Sequence, residues 1–234
     1  MICATTNCSR MTKKIVLLVL IIGLSFSDAF FQNLIPSIPK LPTNINPSKA
    51  SEPLLAELEK LISATQNGVA DPATFDQVQN LMIQISNTRP NEEDQRKMLP
   101  GTWELVYTTE KEINFFKTSW PFAKVSSITQ RIDLYNQVQP IVENYIDFEG
   151  GGQFAVTGTV QVDDDTNNRE SIGTEERKYD RVAFSFTTAT AVLWGTSISL
   201  PPTGAGWFDT LFCNDQYRLS RDSRGDYSIF RRIS

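Results

Sequence analysis

The chain has 234 residues, 40% of them apolar, with 14 Phe and 4 Trp but no His. That length and composition suffice for one sizeable core or two small ones, and the missing imidazole excludes Ser-His-Asp, Cys-His and His-ligated metal chemistry. A formal charge of −5 argues against nucleic acid as a partner, because binding phosphates needs a basic face.

Residues 1–29 have the pattern of a signal peptide. Lys13 and Lys14 precede an apolar run, Ile15 to Phe26, that is too short to span a bilayer comfortably. Ser27-Asp28-Ala29 then supplies small residues at −3 and −1. Cleavage there would remove Arg10, Lys13, Lys14 and Asp28, leaving 19 basic against 26 acidic residues, a net of −7. Residues 30–50 contain four prolines, Lys40 and Lys49, and the first acid beyond them is Glu52, which is the composition of a disordered, transit-peptide-like segment. With Ala29-Phe30-Phe31 at the junction, the two segments look like the bipartite plastid presequence of algae with complex plastids. Secretion is the alternative. Of the three cysteines only Cys213 lies beyond this region, so no internal disulfide framework is expected.

The body, residues 51–234, opens with helices over 51–98. Ser51-Glu52-Pro53 is a helix-start signal, and Leu54, Leu55, Leu58, Leu61 and Ile62 repeat at helical spacing until Asn67-Gly68. Asp71-Pro72 starts a second helix with Phe75, Val78, Met82 and Ile85 on one face, stopped by Thr88-Arg89-Pro90. Asn91 to Met98 suits a short third turn. These single apolar stripes need a partner surface.

From Gly101 the period changes to two. Strands are expected at Trp103–Thr109, Ile128–Tyr135, Val138–Phe148, Phe154–Val162 with a bulge at Gly158, Arg181–Thr187, Ala191–Leu200, Trp207–Cys213, Gln216–Arg221 and Tyr227–Arg232. Eight or nine short strands without intervening helices predict a mainly β fold, an antiparallel sandwich or a barrel over 99–234. The strand count favours the barrel, with room for a small ligand.

Several clusters invite a chemical reading. Asp163-Asp164-Asp165 lacks the glycine and terminal glutamate of an EF-hand, so a solvated hairpin tip fits better. Gly150-Gly151-Gly152 precedes no helix pattern and reads as a strand connection. Glu104 and Asp133 are a formal acid/base pair whose spacing requires nothing of the kind. Asp209 and Arg218 fall on successive strands of a predicted hairpin, where they would pair across it or fix the polar head of an amphipathic ligand. No metal site and no cofactor are expected.

Gly101-Thr102-Trp103 is similar to the G-x-W of lipocalin-like barrels, in which the Trp plugs one end. That resemblance implies an arginine stacked on the indole, Arg231 or Arg232, worth on the order of 1 kcal/mol. Leu99-Pro100-Gly101-Thr102-Trp103-Glu104-Leu105-Val106-Tyr107, Gln130-Arg131-Ile132-Asp133, Gly206-Trp207-Phe208-Asp209-Thr210 and Tyr217-Arg218-Leu219-Ser220-Arg221 together resemble the plastid lipid-associated protein/fibrillin (plastoglobulin) family. The closing segment, through Gly225, departs from that family's pattern at Asp222, where a glycine is usual.

The resemblance implies a lipocalin-like antiparallel barrel behind two to three helices, plastid residence and association with thylakoids or plastoglobules. It implies a non-enzymatic protein holding or transporting a hydrophobic lipid ligand such as a prenylquinone, carotenoid or fatty acid. The competing expectation is a structural coat of lipid droplets or an adaptor docking a prenylquinone-biosynthesis enzyme. Trp103, Tyr107, Trp207, Asp209, Tyr217 and Arg218 are the expected ligand-facing residues, with Gly101, Gly225 and Arg231 structural. Phe115, Phe116, Trp120, Pro121 and Phe122, in a loop-like stretch, either touch a membrane peripherally or cover one barrel end.

Overall fold

The computed structural model describes residues 47–65, 68–163, 180–193, 195–202 and 204–234. The signal-peptide and transit-segment readings and most of the acidic hairpin tip lie outside the described residues.

Three helices precede the first strand: α1 (Pro47–Ala64), α2 (Phe75–Ser86) and α3 (Glu92–Met98). The first starts a turn before the expected Ser51, which is buried inside it. Asp71 does not open α2 directly. Its carboxylate accepts from the amides of Ala73 and Thr74 and from the Thr74 hydroxyl, an Asx-type turn that delivers the chain to Phe75. The Asn91 side chain caps α3 by accepting from the Asp94 amide.

Nine strands follow: β1 (Gly101–Thr108), β2 (Val125–Asp133), β3 (Ile141–Phe148), β4 (Gly152–Asp163), β5 (Asp180–Leu193), β6 (Thr196–Leu200), β7 (Ala205–Cys213), β8 (Tyr217–Asp222) and β9 (Tyr227–Arg232). All pair antiparallel. The ring β1-β2-β3-β4-β5-β7-β8-β9 closes because β9 returns to β1 and β4 pairs with β5. This is an eight-stranded closed barrel, lipocalin-like in form. The expected single strand Ala191–Leu200 is instead a hairpin: β5 runs on to Leu193 and β6 folds back on it. Gly158 does sit at a register shift. A Cβ there would lie 2.6 Å from the Ser185 carbonyl oxygen, so the close strand approach admits only hydrogen.

A helix interrupts the strands where the sequence looked loop-like. After β1 the chain forms α4 (Lys111–Thr118), which carries Phe115 and Phe116.

The barrel wall made by β1, β7, β8 and β9 is apolar on both faces. Inside lie Trp103, Leu105, Phe208, Cys213 and Phe230. Outside, Tyr107, Leu211, Phe212, Leu219 and Ile229 pack under Leu55, Leu58, Val78, Met82 and Ile85 of α1 and α2. The helical stripes thus find their partner on the barrel's outer surface. Bulges between Leu105 and Tyr107 and between Thr210 and Phe212 reverse the inside-outside alternation partway along β1 and β7.

Gly101 and Gly225 occupy positive-φ positions, at 144° and 84°. The first lies against Arg232 and Ser234, and the second turns β8 into β9, donating its amide to the Asp222 carbonyl at 3.0 Å. Asp222 has its own use in that turn: its carboxylate accepts from the amides of Arg224 and Asp226.

Candidate ligand-binding site

Strand register stacks the interior in rows. At the floor, Trp103 lies between Arg232 of β9 and Gln130 of β2, and Gln130 lies beside Asn144 of β3. The indole N–H donates to the Leu99 carbonyl at 2.9 Å. The Arg232 guanidinium carbon lies 4.1 Å from an indole ring centroid, and its Nη1 and Nη2 donate to the carbonyls of Pro100 and Met98. The floor is therefore closed by Trp103, wholly buried, with Arg232 rather than Arg231 stacked on it. Arg231 points outward and pairs with Glu104 at 2.7 Å.

The next row holds Leu105, Phe230, Arg218 and Cys213 on four consecutive strands. Arg218 has a relative exposure of 0%. Its guanidinium lies 4.0 Å from the Phe230 centroid, 5.0 Å from Phe208 and 5.6 Å from Trp103. Nη2 donates to Gln130 Oε1, whose amide NH₂ donates in turn to Asn144 at 2.8 Å. Nε and Nη1 have no hydrogen-bond partner, and no carboxylate among the described residues is bonded to this charge. Burial pulls the guanidinium down to about 9; the positive charge of Arg232 adds to the shift, and Cys213 opposes it.

Above that row come Thr108, Ser228, Ser220 and Thr210, a band of small hydroxyls. Toward the upper end the wall turns aromatic. Phe154, Phe184 and Phe186 pack against the interior cluster while staying partly exposed. Phe116 of α4 packs on Phe154 and Trp120 on the buried Phe148, with ring centroids 6.4 and 6.0 Å apart. Phe122 extends this cluster outward, 5.1 Å from Trp120 and 37% exposed. The stretch 115–122 covers one barrel end with Phe116 and Trp120 while presenting Phe122 to solvent.

The six expected ligand-facing residues do not share one wall. Trp103 and Arg218 face the interior. Tyr107 and Tyr217 pack against the cluster under the helices, and burial pushes the Tyr107 phenol up to about 12. Trp207 and Asp209 flank the inward Phe208 and so lie on the outer face. The expected Asp209–Arg218 pair does not form: Asp209 sits opposite Arg221 in the β7–β8 register and accepts a bidentate pair from Arg181 Nε and Nη2 at 2.8 and 3.0 Å. Arg181 in turn lies 3.4 Å over the Trp207 ring. Its side chain and that of Asp209 are only 13% and 4% exposed.

The remaining acid/base reading also dissolves in the geometry. Glu104 faces Thr129, four positions along β2 from Asp133, a span of about 13 Å. Glu104 is bound to Arg231, and Asp133 to Arg131 at 3.0 Å. No group of three or more metal-ligating side chains occurs among the described residues.

Sequence reasoning missed Gln130 and the throat phenylalanines. The alternation Ile128, Gln130, Ile132 does place Gln130 on the inner face, and Phe184 and Phe186 share a parity with Val182. Arg218, expected to face a ligand, does lie on the inner face, on a wall whose outer face buries its neighbour Leu219 as well.

A closed antiparallel barrel with a tryptophan floor, an aromatic mouth and a capping pair of helices on its outer wall defines the lipocalin-like class. Within that class the chain belongs to the plastid lipid-associated protein/fibrillin family: the PAP_fibrillin family model matches residues 52–231. The chain is similar to the Arabidopsis thaliana protein named "Probable plastid-lipid-associated protein 11, chloroplastic", 28% identical over 192 residues, covering 80% of this chain and 81% of that protein. No solved structure matches.

Proposed function

We propose that this protein is a non-enzymatic lipid-holding protein of the plastid that carries a hydrophobic molecule in the barrel interior. The observation that carries the reading is the aromatic throat, where Phe154, Phe184 and Phe186 line the interior yet remain partly exposed. Shielding such surface, and an equally apolar ligand, from water yields about 25 cal/mol per Å² before ordering costs. The non-enzymatic part is supported by the absence of histidine and by the commitment of Glu104 and Asp133 to separate ion pairs with Arg231 and Arg131. Plastid residence is supported by family membership and by the name of the Arabidopsis relative.

Contact with a thylakoid or plastoglobule surface is peripheral in this reading. No helix among the described residues is long and apolar enough to cross a membrane, and the Phe115–Phe122 stretch supplies an exposed apolar tip beside the mouth. Lipid entering from that surface would meet the throat first.

The test is to purify the protein from its native membrane, extract it into organic solvent and identify bound lipid by mass spectrometry. A stoichiometric lipid supports the holding role. An empty barrel with a co-purifying prenylquinone-biosynthesis enzyme would replace it with the adaptor role.

A further inference from the structure

The interior is not uniformly apolar: a guanidinium that no carboxylate among the described residues pairs with lies deep inside. Arg218 is wholly buried, yet two of its three guanidinium nitrogens lack a partner. Leaving a buried cation unpaired is costly. The outer face shows that the neighbouring strand can meet this need with a protein group, since Asp209 of β7 neutralises Arg181 of β5 in a bidentate pair. On the inner side no carboxylate among the described residues takes that place. The cross-strand neighbours of Arg218 are Cys213 and Phe230, and its single hydrogen bond goes to a neutral amide oxygen.

The second arginine of the floor adds to the positive field. Arg232 gives Nη1 and Nη2 to backbone carbonyls, which are neutral, and its Nε is unpartnered. Two guanidiniums thus lie around the Trp103 indole, the ring centroid 5.6 and 4.1 Å from their carbons. Above them the hydroxyl band and the phenylalanine throat lead to the aromatic mouth. The order from the floor upward is cation, small hydroxyls and phenylalanines, with Phe116 and Trp120 over the far end. That is the polarity sequence of an amphiphile inserted head first.

We propose that Arg218, oriented by Gln130 and reinforced by the charge of Arg232, receives the carboxylate head of a singly charged lipid whose chain runs up through the phenylalanine throat. The inference rests on the reading of the barrel as a lipid holder and adds the ligand's chemical class and orientation. A planar guanidinium fork matches a carboxylate bidentately, and Arg218 keeps unpartnered donors for one. The Gln130–Asn144 relay fixes the plane of that fork, so Gln130 is a positioning residue and Arg218 the direct contact.

The test titrates the whole protein with cis-parinaric acid and, separately, with its methyl ester, reading the polyene fluorescence. The two probes share a chain and differ in head charge. The acid is expected to bind at least about tenfold more tightly than the ester, the scale of a charge-assisted hydrogen bond in a buried site. Arg218→Met is expected to remove that preference, so that the acid binds no more tightly than the ester. Should the variant fail to fold, the wild-type acid-to-ester ratio decides alone.

Equal affinity for the two probes overturns the carboxylate inference and leaves the lipid-holding reading standing. Binding of neither removes both. Displacement of the acid by millimolar inorganic phosphate, with the ester unaffected, marks a site for free anions and overturns the amphiphile.

Discussion

Two arginines on opposite faces of the barrel, one largely and one wholly buried, are treated in opposite ways. Outside, Arg181 lies over Trp207 and is neutralised by both oxygens of Asp209. Inside, Arg218 is surrounded by the rings of Trp103, Phe208 and Phe230 and bonded to Gln130 alone. The first arrangement is complete without any further molecule. The second holds a charge that no carboxylate among the described residues neutralises. Residues that finish a structure and residues that await something are thus separable by counting donors against acceptors, although both arginines belong to the same three-strand segment.

If the inner wall is held by apolar packing and not by charge, its anchor is the indole. Trp103→Ala should cost about 4 kcal/mol through lost burial and the cavity left behind. In a domain of this size that lowers Tm by roughly 10 °C, measurable by thermal denaturation followed by circular dichroism. An unchanged Tm would mean that the floor does not support the barrel.

The next effect in size contrasts the two arginines directly. Asp209→Asn removes the charge facing a nearly buried Arg181 and should destabilise by about 2–3 kcal/mol in urea unfolding. Arg218→Met removes the unpaired charge and should leave the ligand-free protein's stability unchanged or raise it. If both variants lose equal stability, Arg218 is a structural residue like Arg181 and the distinction between the two faces collapses.

Much of the scaffold was legible in the chain. Helical stripes at Leu55, Leu58, Val78 and Met82 and period-two runs from Trp103 onward rest on local periodicity, which tertiary packing only reinforced. The assignment of side chains to faces was not legible. A strand buried on one side reveals its parity by alternation, but β7 to β9 are covered on both sides, and in Phe208-Asp209-Thr210-Leu211-Phe212 the bulge reverses parity midway. Asp209 and Arg218 therefore looked like partners from spacing, while Arg181, 28 residues before Asp209, gave no local sign of being the true one. The helix at Lys111–Thr118 was hidden for a different reason. Its aromatic residues pack over a barrel end that exists only after closure, and none of its residues is fully buried.

The smallest expected effect concerns the other end of the barrel, and it sharpens the contrast between a positive floor and an acidic rim. Glu110 accepts from the Ser228 hydroxyl at 3.1 Å and pairs with Arg224 at 3.0 Å. Burial, then the charges of Asp222 and Asp226, push its carboxyl up to about 7 against the pull of Arg224. Because the fold holds this proton more tightly than the unfolded chain, with its ordinary value of 4.5, the folded state gains protons relative to the unfolded state between those values. The resulting stabilisation is complete below about pH 4.5 and is lost as pH rises to about 7. The urea midpoint should therefore fall from pH 5 to pH 7.5, with Asp226, raised in the same direction, contributing at the lower end. Glu110→Gln keeps an acceptor for Ser228 and should flatten the slope between pH 5 and 7.5. A variant with the wild-type slope would place the titration elsewhere and leave the rim without the buried acid that sets it apart from the floor.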